Sequence, residues 1–124
     1  MSTIDDRTRL KHMLEAARKS VEFAEGESRE SLAADEKLQL SLVRLAEIIG
    51  EAASRDSDDL KQRYPLIPWG AMAGMRNRLV HAYFDIDLDV VWDTVTIAMP
   101  ELIEQIDGVL RAEGESDDTG QLSD

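Results

Sequence analysis

"LDVVWDTVTIAMPELIEQIDGVL", residues 88–110, decides the fold class. Leu88, Val91, Trp92, Val95, Met99, Leu102, Ile103, Ile106, Val109 and Leu110 recur at steps of three and four, the pattern of a helix that buries one face. Pro100 interrupts the stripe. It lacks an amide hydrogen and its ring collides with the carbonyl four residues back, so a kink or break is expected there.

The same period runs through the residues before it. Leu10, Met13, Leu14, Ala17, Val21 and Ala24 predict a helix over about 5–24, with Thr3 or Asp5 as N-cap. "EGESRE" (25–30) reads as a turn, and Leu38, Leu42, Leu45, Ala46, Ile49, Ala52 and Ala53 define a second long helix over 31–53. "SRDSDDLKQRYP" (54–65) suggests one or two short helical turns; Pro65 and Pro68 bracket an extended "PLIP", and Pro68 opens a third helix over about 69–83. Alternating β patterns and fixed-period repeats are lacking. An all-α, up-and-down bundle of four to five helices is expected over residues 1–111, followed by an acidic, disordered tail over 112–124.

Composition narrows the function. The chain carries 14 Lys and Arg against 26 Asp and Glu, a formal charge of −12 that repels phosphate backbones at long range, so any RNA contact must be local or assisted by a partner. With no cysteine, disulfides, thiolate metal sites and cysteine nucleophiles are excluded together. "MSTIDDRTRL" has no apolar leader region and no run approaches a membrane span, so a soluble, cytoplasmic protein is expected.

The residues that carry chemistry lie in "GMRNRLVHAYF" (74–84), on what the periodicity makes a buried amphipathic helix. At about 100° per residue, Asn77 and His81 are neighbours and Arg76 aligns with Tyr83, whereas Arg76 and His81 point roughly 140° apart. One helix cannot converge them; two copies meeting across a twofold axis can, which makes a homodimer part of the expected site. Histidine moves protons near neutrality, and a guanidinium holds phosphate oxygens while never losing its own proton. The pair suits metal-free phosphodiester cleavage, with a base taking a 2′-hydroxyl proton, arginine stabilising the charged phosphorane and Asn77 orienting the imidazole or bonding a phosphate. Arg78 is a candidate RNA contact or a solvated helix residue. From spacing alone, the competing reading is a surface or interface salt-bridge set, with Tyr83 at the edge of the core.

Elsewhere, His12 lies one position off its apolar stripe and is expected at the surface. The acid-rich "DIDLD" (85–89) has the spacing to hold a cation, but acids also gather at helix N-termini, and no histidine cluster accompanies it; no metal or cofactor is expected. Trp69 and Trp92 are expected in the core or at a dimer interface.

At "RNRLVHAY" the sequence resembles the HepT-like family of the HEPN superfamily, whose signature is arginine, four residues, histidine, one residue, tyrosine. Arg76, His81 and Tyr83 fill those positions. "LAEIIGEAA" (45–53), "RYPLIPWGAMAGMRNRLVHAYFDIDLDVVWDTV" (63–95) and "PELIEQI" (100–106) are similar to the family's segments in the same order. The resemblance implies a dimeric helical bundle that is a ribonuclease toxin of a toxin–antitoxin pair, with Arg76 and His81 catalytic and Asn77 a polar helper. It implies further that Tyr83 accepts AMP from a small nucleotidyltransferase antitoxin of the MNT type, silencing the nuclease. Two rival classes stay open: a non-catalytic subunit that helps a nucleotidyltransferase bind nucleotide, with Arg76 and His81 gripping phosphates, and a purely structural dimerisation bundle.

Overall fold

A computed structural model describes residues 5–81 and 85–122, with side chains as far as residue 114. Three long helices dominate: α1 (Asp6–Ala24), α3 (Glu36–Arg55) and α8 (Met99–Leu122), with short helices between them. Asp5 caps α1, its carboxylate accepting from the Thr8 amide at 2.9 Å. Asp6 at the start of α1 meets Ser57 just beyond the end of α3, accepting from its amide at 2.9 Å, so α1 and α3 run antiparallel. Between them Ala17, Ala46 and Ala53 are fully buried, and their small side chains let the backbones approach while Leu10, Met13, Leu42 and Ile49 fill the remaining space. Leu102, Ile106 and Val109 of α8 close the core from the far side of α1.

The opening stripe is therefore the buried face of a real helix, reached through a less regular path than its period suggests. It begins as α7 (Leu88–Asp93), passes through a π-helical turn (Thr94–Ala98) and continues as α8. In the π turn the Met99 amide bonds the Thr94 carbonyl five residues back. The wider turn lies directly ahead of Pro100, where the α-helical ladder could not have been completed, so the expected interruption appears as an inserted residue and the helix goes on. α8 also continues to Leu122, through positions that composition alone makes a disordered tail. Beyond residue 111, Glu113 turns back to the body, accepting from the Tyr64 hydroxyl at 2.6 Å and pairing with Arg63.

Other expected helices are shorter than their patterns. The helix expected over 31–53 is divided into α2 (Arg29–Ala33) and α3, because Ser28 caps the first and Asp35 starts a second cap, accepting from Leu38 at 3.0 Å. α4 (Asp58–Arg63) is the short piece expected after α3. The third helix differs most: it is α5 (Trp69–Ala73) and α6 (Met75–Leu79), separated at Gly74, and ends before His81. Trp69 is buried and its indole N–H donates to the Tyr64 carbonyl at 3.0 Å, while Trp92 is half-buried against the core. Among the described residues there is no strand, only an isolated antiparallel bridge between Val80 and Ile86, and no helix long and apolar enough to cross a membrane.

α5 and α6 are seated by α3. A Cβ on Gly50 would stand 2.8 Å from the Met72 carbonyl oxygen and 3.2 Å from that of Ala73, so only glycine allows this approach. The contact sets the height of α6, and with it the residues that follow.

Asp56, just past α3, is buried and neither of its carboxylate oxygens has a hydrogen-bond partner among the described residues. Burial, then the nearby Asp6 carboxylate, pushes its carboxyl up to about 7, against the opposing pull of Arg9 and Lys61. Because the folded value exceeds the unfolded one, this group's share of stability is lost as pH climbs from about 4 through 7 and is constant above. Thermal unfolding between pH 5 and pH 8 should therefore show a fall in midpoint that is much reduced in Asp56→Asn; an equal fall in both proteins would rule out Asp56 as its source.

Candidate active site

α6 presents Arg76, Asn77 and Arg78 in succession on its exposed side, while Met75 and Leu79 anchor it in the core. The polar residues thus sit on the surface of a one-and-a-half-turn helix, where the sequence pattern placed them on a buried one. After Leu79 the backbone opens: Val80 is extended, at φ −129° and ψ 118°, and pairs with Ile86. The His81 amide donates to the Asp85 carbonyl at 2.9 Å, and the Asp87 amide donates to the Leu79 carbonyl at 2.7 Å. These bonds take backbone groups that a continuing helix would have used, which is why α6 stops there.

The rotation arithmetic for a straight helix consequently does not apply beyond Leu79. Asn77 and His81 do not share a helical face. Tyr83 lies outside the described residues. His81 instead meets Asp87, Nε2 to Oδ2 at 3.1 Å, with the imidazole 57% exposed. The other oxygen of Asp87 accepts from the Val90 amide at 3.1 Å and caps α7. One carboxylate thereby ties the start of α7 to the histidine. The Val90 amide, and after it His81, hold the Asp87 carboxyl below its ordinary range, so it is ionised at neutral pH and can only accept. In neutral His81 the proton therefore sits on Nε2 and the lone pair on Nδ1, which has no partner among the described residues.

Arg76 turns toward α3. Its Nε stands 4.0 Å from Glu47, which also receives Arg44 at 2.6 Å. The side chains of Arg76 and Glu47 are each nearly half exposed, so this long pair holds little energy and leaves the guanidinium able to exchange it for a phosphate. Arg78 reaches back along its own segment and donates to the Ala71 carbonyl at 3.1 Å. Arg76 and His81 are each paired to a different carboxylate and are not joined to one another. His12 is exposed on α1, as its position off the stripe implies.

Asp87 is the residue that sequence reasoning passed over as a site member. "DIDLD" reads as a helix start, which it is, and nothing in a 3.6-residue period connects position 87 to position 81. A chain reversal does. Among the described residues no group of three or more His, Cys, Asp or Glu is gathered as metal ligands would be.

The family described as "Ribonuclease HepT-like" matches residues 13–109. A "Putative RNase" of Methanocaldococcus jannaschii is 32% identical over 116 residues, covering 93% of this chain and 96% of its own. A "Probable ribonuclease HepT" of Thermococcus cleftensis is 41% identical over 96 residues, covering 74% of this chain and 87% of its own. A further "Putative RNase", from Caldanaerobacter subterraneus, is 34% identical over 104 residues, 84% of this chain and 93% of its own. No solved structure matches.

The two duties of Asp87 are separable. Asparagine caps a helix as well as aspartate does, so Asp87→Asn should unfold near the wild-type midpoint while Asp87→Ala unfolds lower, and nitrogen NMR of His81 should show the Nε2-protonated tautomer lose its preference in the alanine variant. Equal midpoints for the two variants would remove the capping role, and an unchanged tautomer in Asp87→Ala would remove the orienting one.

Proposed function

Because the chain belongs to the HepT-like ribonuclease family, we propose that it is a metal-independent endoribonuclease in which His81 and Arg76 carry the reaction. The observation that supports this most directly is the Asp87-held imidazole, exposed and with no Nδ1 partner among the described residues. In the proposed step Nδ1 removes the proton of a 2′-hydroxyl and the freed oxygen attacks the adjacent phosphorus. The bond to the 5′-oxygen breaks, and that oxygen leaves with a proton from solvent or from a second imidazolium. The products are a 2′,3′-cyclic phosphate and a 5′-hydroxyl. Arg76 stabilises the extra negative charge on the phosphorane, and Asn77, exposed beside it, is available to a phosphate oxygen. General base action of this kind is typically worth about 10²- to 10⁴-fold.

A homodimer is part of the reading, since Arg76 and His81 have separate partners within one chain and a second copy would bring the complementary pair together. Its support is a flank beside α6. Hollows lined by Leu66, Gln105, Ala98 and Ile97 follow one another along α8 and the π turn, and Arg78 borders two of them. Leu66 is 89% and Ile97 66% exposed, the kind of apolar surface that a partner covers.

The nuclease acts, in this proposal, as the toxin of a toxin–antitoxin pair whose antitoxin is a nucleotidyltransferase. The Tyr83 phenol oxygen attacks the α-phosphorus of ATP, pyrophosphate leaves, and AMP remains on the tyrosine. Tyr83 is two residues from His81 along the chain, so the modification adds a bulky anion close to where substrate phosphate binds.

Purified protein should cleave RNA in excess chelator, and His81→Ala should lower the rate at least 100-fold with the fold intact by circular dichroism, as loss of general base action predicts. Full cleavage by His81→Ala would sink the assignment. After coexpression with a nucleotidyltransferase of the MNT type, intact-mass measurement should show an AMP increment that is absent in Tyr83→Phe; an increment that persists in the phenylalanine variant places the modification on another residue.

A further inference from the structure

The flank between α1 and α3 gathers cations against the overall charge of the chain. A hollow of about 200 Å³ there is walled by Arg9 and His12 from α1 and by Arg44, Glu51 and Arg55 from α3. On α3 the charged residues recur at positions 44, 47, 51 and 55, which puts them on one face of the helix. Arg44 and Arg55 are eleven residues apart in sequence, about 16 Å along the axis at the α-helical rise.

This groove adjoins the candidate active site through one side chain. Glu47 receives Arg44 on one carboxylate oxygen at 2.6 Å, and its other oxygen faces Arg76 at 4.0 Å. Because position 47 lies between 44 and 55 on this face, Arg76 stands beside the track of guanidinium groups, with Arg44 about one turn to one side and Arg55 about two turns to the other. The pairings of Arg55 and Arg76 are long. Arg55 stands 3.9 Å from Glu51 with both side chains about two-thirds exposed, and Arg76 stands 4.0 Å from Glu47 with both nearly half exposed. Solvated pairs of this length contribute little and exchange readily for a phosphate, which a guanidinium binds through two donors at once. A plain surface ladder on α3 would explain the alternating charges, but not the concavity or the two basic residues that α1 adds to it.

We propose that this groove binds backbone phosphates of the RNA strand that flank the scissile one, with Arg44 and Arg55 holding the strand to either side of Arg76 along α3. The inference rests on the ribonuclease reading for its ligand and extends it to a second site. It also offers a way for a chain of charge −12 to engage RNA, by concentrating attraction in a local track where the long-range field is unfavourable.

The test uses the whole protein and a fluorescein-labelled 2′-O-methyl RNA 12-mer, which has no free 2′-hydroxyl and so cannot be cut. Anisotropy titrations over a range of salt should show Arg55→Ala binding about five- to tenfold more weakly than wild type at low salt. Its plot of log affinity against log salt should be shallower by about 0.7, one single-strand phosphate contact. Arg55→Lys, which keeps the charge, should retain most of the slope. Wild-type affinity and slope in Arg55→Ala, or no binding of the 12-mer by wild type, would overturn the proposal. Cleavage of unmodified RNA is scored separately: wild type that cuts RNA while Arg55→Ala binds normally removes only the groove, whereas salt-sensitive binding lost in Arg55→Ala without any cleavage removes only the nuclease.

Discussion

The packing of α3 is the constraint on which the remaining structure depends. One side of this helix is closed against α1 by small buried residues, and another admits the carbonyls of Met72 and Ala73 against Gly50. Nothing larger than hydrogen fits at that crossing, so the height of α5 and α6 is fixed by contact between backbones. The exposed edge of the same helix then meets α6 through Glu47 and Arg76. Core and candidate site are therefore set by different faces of one element.

The candidate site is made by a chain reversal. If α6 had continued, His81 would be a helical side chain pointing away from Arg76, its orientation dictated by backbone rotation alone. Ending the helix at Leu79 frees His81 for a carboxylate that already has a structural duty, since Asp87 caps α7 with one oxygen and holds the imidazole with the other. A group with two partners has little rotational freedom, and the imidazole inherits that order. Such support also selects a tautomer, because a carboxylate that can only accept draws the ring proton to the nitrogen facing it.

Charge is distributed with similar economy. The chain as a whole is strongly acidic, yet Arg44, Arg55 and Arg76 follow one edge of α3 and the helix beside it, each held by a glutamate that a phosphate could replace. Several of the acids elsewhere are structural. Asp5, Asp35 and Asp87 cap helices, Asp6 joins α1 to Ser57, and Glu113 holds α8 against Tyr64 and Arg63. Asp56 departs from this pattern, being buried without a hydrogen bond among the described residues and compensated only by the charges of Arg9 and Lys61.

The sequence by itself determined the helical class, the buried stripes of α1, α3 and α8, and the residue types at the candidate site, because each depends on local spacing or on side-chain chemistry. Periodicity reports which residues are apolar every three or four positions, and it found those faces. It could not report where a helix gives way to a different set of hydrogen bonds. The split at Ala34 and Asp35 and the end of α6 at Leu79 arise where caps or a returning segment of chain compete for the backbone, whereas the interruption at Pro100 was legible and only its form, a π turn, was not. The partnership of His81 with Asp87, and that of Arg76 with Glu47, were decided only in three dimensions, because each joins residues brought together by a reversal or by helix packing rather than by a helical repeat.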